Sequence, residues 1–203
     1  MNIVCKYGIE IEIDRVLKML DKFSWYVENG YNPTLPVGIT ELSSNDEVKN
    51  SIINEYNSII YSSAESKILA DWSLIQNKLY KVSVKYFPFV PNEIVLKLTK
   101  YGTYGSFQLP NFIVLDLNNK RGFLTIYHEF IHLCLEDELV RNKVSHWDKE
   151  RIIDNILHSD LFNFLHYSFW QRDYHGSVER VDDIFKAYFF SNRDRFYSEL
   201  CGR

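Results

Sequence analysis

The chain has 203 residues, 46% hydrophobic and 25% charged, with a formal net charge of −4; it can bury one core and carries no basic block for nucleic acid or an anionic membrane. Cys5, Cys134 and Cys201 are odd in number and widely spaced, which argues against a disulfide framework or thiolate zinc knuckle and fits a reducing compartment. With no signal-peptide pattern and no apolar run near the ~20 residues that span a bilayer, a cytoplasmic protein is expected, with neither nucleic acid nor membrane as partner.

In chain order, a short apolar piece, Ile3 to Cys5, precedes a helical pattern in Ile13, Val16, Leu17, Leu20, Phe23 and Val27 that ends near Asn29-Gly30. Residues 31–40 hold Pro33, Pro36 and Gly38 and read as a loop. Ser44 suits the cap of a second helix through Val48, Ile52, Tyr56 and Ile59, which continues past a break near Ser62-Ser63 to Leu79. Residues 1–85 thus form a mostly helical N-terminal region in which no chemistry is visible.

The texture changes from residue 86. Ile94, Leu96 and Leu98 alternate with Glu93, Val95 and Lys97 as a strand, and residues 112–117 read as a second. Between them, Gly105 to Leu109 reads as an exposed extended segment broken by Pro110-Asn111. A helix over 123–135 follows. Ser145, with Asp148 three positions on, resembles a capping box that opens a helix over about 146–165, and one more helix is expected near 181–190.

The 123–135 helix carries His128-Glu129-Phe130-Ile131-His132. Imidazoles four residues apart share one helix face and can hold one metal ion, with the Glu between them placed to take a proton from water. A catalytic zinc site adds a third protein ligand and keeps one position open. Glu150 is the candidate third ligand, with His146 as its rival. Trp147, Glu150, Asp154, Leu157 and Leu161 step by three and four, so two carboxylates lie on an otherwise apolar stripe and need a partner. Cys134 points about 200 degrees round the helix from His132 and is expected in the core.

His128-Glu129-x-x-His132 followed by Glu150-x-x-x-Asp154 resembles the gluzincin, or thermolysin-like, zinc metallopeptidases, over roughly residues 90–165. The resemblance implies an α+β, zincin-like domain: a small mixed sheet packed on an active-site helix and a glutamate helix, here over 86–203. It further implies one Zn2+ held by His128, His132 and Glu150, Glu129 as general base, and Asp154 orienting a ligand imidazole. A peptide or protein would be the substrate, lying extended beside Gly105 to Leu109. The donor to the reaction's oxyanion is expected from beyond the metal helices, with Tyr174 or His175 chosen over Tyr167, His158 and His166. The rival function is a zinc-binding sensor or interaction module on the same fold. Glu138 stands where a metzincin's third His would be, which argues against that group.

Overall fold

A four-stranded mixed sheet gives the molecule its frame in a computed structural model that describes residues 1–170 and 178–202. Its strands are β1 (Asn2–Lys6), β2 (Glu93–Thr99), β3 (Gly105–Gln108) and β4 (Phe112–Asp116), in the order β1-β2-β4-β3. β1 and β4 both run parallel to β2, whereas β3 is antiparallel to β4 and occupies an edge. The expected strands 93–98 and 112–117 are therefore found, and the exposed segment at 105–108 is a true strand. β1 is an addition to the sequence reading, where Ile3 to Cys5 was only an apolar piece. It becomes a strand because Ile3 and Cys5 pair with Ile94 and Leu96, across a crossover that no local pattern encodes.

Before the second strand lie α1 (Ile9–Leu20), α2 (Phe23–Glu28), α3 (Asn45–Glu55) and α4 (Ser58–Tyr86), the last running one residue past the expected boundary at 85. The expected first helix is divided at Asp21-Lys22. Ser44 caps α3 with a reciprocal Ser44–Glu47 capping box. The break before α4 falls at Tyr56-Asn57, where the Asn57 side chain accepts the Ile59 N–H at 3.1 Å, and not at Ser62-Ser63. Ser62 stays helical by donating its hydroxyl back to the Ile59 carbonyl at 3.2 Å.

After the sheet come α5 (Leu124–Arg141), α6 (His146–Leu157), a single 3-10 turn at Asn163–Leu165, α7 (Val178–Tyr188) and α8 (Arg193–Cys201). α5 runs past the expected residue 135 because Leu139 continues its buried side, and it stops where Lys143 turns left-handed at φ 59°. α6 ends at Leu157, short of residue 165, because His158 Nδ1 and the Ser159 hydroxyl bond back to the carbonyls of Asp154 and Ile156 at 2.8 and 2.6 Å. α8 has no counterpart in the sequence reading.

The pleat sends Ile94, Leu96, Leu98, Ile113 and Leu115 into the main core beneath α5, and that core continues through α4, α6, α7 and α8. A smaller core joins α1 and α3 through Val16, Met19, Val48, Ile52 and Tyr101. Glu12, the one buried carboxylate of α1, accepts hydrogen bonds from the hydroxyls of Tyr61 and Thr99 and from the Lys100 N–H at 2.8 Å. It ties α1 to α4 and β2. No helix among the described residues is long and apolar enough to cross a membrane.

Candidate metal centre

α5 is buried almost without interruption from Thr125 to Leu135, so its polar residues there need a reason to be dry. His128 and His132, 7% and 2% exposed, project from one face one turn apart. Facing them, α6 presents Glu150 and Asp154, likewise one turn apart and 8% and 0% exposed. The Ser145 hydroxyl caps α6 by accepting the Asp148 N–H at 3.2 Å, which places Glu150 within its second turn.

Three side chains converge. The Nε2 atoms of His128 and His132 are 3.1 Å apart, His128 Nε2 is 3.0 Å from Glu150 Oε2, and His132 Nε2 is 3.3 Å from Glu150 Oε1. Four donors set tetrahedrally about 2.0–2.1 Å from a zinc ion stand roughly 3.3–3.4 Å from one another, so these spacings are close to one face of such a tetrahedron. A neutral imidazole has only one N–H, so two ring nitrogens and a carboxylate facing each other hold more lone pairs than hydrogens. A cation resolves that imbalance. The donor chemistry and the spacing both fit a metal ion.

The surroundings reinforce the arrangement. Asp154 Oδ1 faces the other ring nitrogen of His128, Nδ1, at 3.4 Å, and the Tyr167 hydroxyl donates to the same oxygen at 3.4 Å. Phe107 of β3 stacks on the His132 ring, with centroids 4.7 Å apart and planes 7° apart. Burial alone favours a neutral His128 imidazole, but the facing carboxylates of Asp154 and Glu150 outweigh it and lift the metal-free pKa to about 10. Burial likewise pushes Glu150 up, but His132 and His128 together hold it well below the usual carboxylate range. Glu129 goes the other way, since burial raises it more than the neighbouring imidazoles lower it.

Glu129 lies against the start of β3. A Cβ on Gly105 would press on the Thr125 side chain and come within 2.8 Å of Glu129 Oε1, so only glycine lets the edge strand pass this close. The cleft between β3 and the two helices has a volume of about 250 Å3, and His128, Glu129, His132 and Glu150 all line it. Its mouth is aromatic: Tyr31 stacks between Trp25 and Trp147, at 5.8 and 6.4 Å. The Tyr31 hydroxyl lies 3.2 Å from His146 Nε2, and His146 Nδ1 lies 3.9 Å from Glu150 Oε1.

The five residues His128, Glu129, His132, Glu150 and Asp154 are therefore brought together. His146, the rival ligand, borders the cleft outside the convergent trio. Of the donor candidates, Tyr167 lines the cleft, whereas His158 stacks on Trp170 at 3.7 Å and His166 is exposed. Tyr174 and His175 lie outside the described residues. Cys134 is buried and opens on a separate cavity, as its helical angle implies. Sequence reasoning missed Trp25 and Tyr31, and it named Gly105 and Phe107 only as part of the segment beside which a peptide would lie. The first two stand in a helix and a loop that looked inert, and their aromatic density was the only available signal.

Comparison with protein-family models, with curated proteins and with solved structures finds no match to this chain. The geometry of the site itself carries the functional argument.

Proposed function

We propose that the protein is a zinc-dependent metallopeptidase of gluzincin type with a zincin-like fold. The observation that carries this reading is the convergence of His128, His132 and Glu150 at metal-ligand spacing, with Glu129 beside them in a cleft bounded by β3, whose outer edge is unpaired among the described residues. Two imidazoles and a carboxylate form a donor set that suits zinc, and three protein ligands leave one coordination position open. Zinc held there would supply Lewis acidity toward a water and toward the carbonyl under attack.

The chain's own residues do the rest. Glu129 accepts the proton of the attacking water and returns it to the leaving amine. Asp154 holds His128 through Nδ1, which presents Nε2 as the ligand atom. The outer edge of β3 pairs with an extended peptide and lays its backbone past Glu129. Tyr31, His146 and Tyr167 border the cleft as donors for the carbonyl oxygen as it gains charge.

A peptide-library digest with zinc-loaded protein tests the reading. Wild type should cleave a subset of peptides, and Glu129→Gln should lose at least about a hundredfold in rate while keeping its zinc. Undiminished cleavage in Glu129→Gln would remove the general-base role. A zinc-loaded wild type that cleaves nothing would make the protein a zinc-binding module instead.

A further inference from the structure

The face of the sheet turned away from α5 carries a groove of about 590 Å3 that meets the metal cleft around the β3 edge, since Tyr26, Ser106 and Phe107 line both. One wall is formed by Arg15 and Lys18 of α1, three residues apart on one face, and by Lys22 in the break between α1 and α2. Across from it Lys97 of β2 reaches over the Phe112 ring at 5.4 Å. Against these four cations stand two carboxylates, Asp14 and Asp21, so the groove is net positive in a chain whose net charge is −4. Asp14 is already engaged by Lys18 at 2.8 Å, and no ion pair among the described residues engages Lys22 or Lys97.

Strand geometry links this groove to whatever lies along β3. A peptide paired with the free edge turns alternate side chains to opposite faces of the sheet. Those level with Gly105 and Phe107 share the metal side, where Phe107 stacks on His132. Those level with Ser106 and Gln108 share the other side and enter the basic groove. We propose that the groove selects the occupant of the metal cleft: an extended polypeptide segment with Asp or Glu at alternate positions, level with Ser106 and Gln108. This inference rests on the peptidase reading, because it takes its register from a substrate paired with β3.

The test uses labelled peptides of one backbone bearing Asp, Ala or Lys at two positions two residues apart. Binding is read by fluorescence anisotropy on zinc-loaded Glu129→Gln and cleavage on zinc-loaded wild type. The Asp peptide should bind about tenfold more tightly than the Ala peptide, and the Lys peptide more weakly still. The gap should shrink as salt rises from about 0.05 to about 0.5 M. Lys22→Glu/Lys97→Glu should reverse the order while zinc content and thermal midpoint stay those of wild type. Equal binding of the three peptides, or an order unchanged by the double reversal, overturns the groove's role and leaves the peptidase reading standing. If none of the peptides is bound or cleaved, the peptidase reading falls and the inference falls with it.

Discussion

Glu12 and Glu150 are both buried carboxylates that tie helices together, yet one faces hydroxyl and amide donors that keep their hydrogens and the other faces titratable ring nitrogens that can give theirs up. Glu12 receives the hydroxyls of Tyr61 and Thr99 and the Lys100 N–H, and each of those contacts brings its own hydrogen. Glu150 faces two ring nitrogens that also face each other at 3.1 Å. Electrostatics follow the same division. Burial raises the Glu12 pKa, and its neutral hydrogen-bond donors offset that only in part. Burial also acts against an ionised Glu150, but two imidazoles reverse the outcome. Burial of a carboxylate therefore does not mark a metal site. Convergence of imidazole nitrogens and a carboxylate at one point makes a group that could hold a metal ion.

The largest expected effect falls on the acceptor-rich cluster. Glu150→Ala should weaken metal binding by about a thousandfold or more, since a site worth on the order of 10 kcal/mol is shared among three ligands. Competition against a chromophoric chelator measures this, and an unchanged affinity would erase the contrast with Glu12. Glu12→Ala should do the reverse. It leaves two buried hydroxyls and an amide without their acceptor, so urea unfolding should report a loss of about 3 kcal/mol while metal content holds. A loss of metal in Glu12→Ala would show that the two clusters are not independent.

Smaller effects sharpen the same division. Asp154→Ala removes the carboxylate behind His128 and should cost about 10- to 100-fold in metal affinity, measured in the same competition assay. The pH response of the metal-free protein is subtler. The folded pKa of His128 is raised from 6.5 to about 10, so its stabilising contribution is complete below about pH 6.5 and is lost as pH rises through about 10. With metal bound the folded imidazole is neutral, and the unfolded one is neutral from about a pH unit above 6.5, so above that point this slope should vanish. Thermal midpoints of metal-free and zinc-loaded samples between pH 6.5 and 10 make the comparison.

Features with a short physical period were legible in the residues. The 3.6-residue repeat placed His128 with His132 and Glu150 with Asp154 on shared faces, and the two-residue repeat located β2 and β4. The caps at Ser44 and Ser145 were readable because a hydroxyl reaches only three residues ahead. Helix ends read less well: α6 stops at Leu157 because of two local side-chain bonds that outweigh its continuing apolar pattern.

The sequence by itself determined which residues could ligate a metal, because spacing on one helix is a matter of backbone geometry. Only the tertiary structure decided that α5 and α6 face each other so that Glu150 meets both imidazoles. It alone put β3 at the sheet edge, with Gly105 against Glu129. It also brought Tyr31 to His146 across 115 residues of chain and closed Glu12 against Tyr61 and Thr99. Those arrangements depend on long-range contacts, whose partners leave no periodic trace in the chain between them.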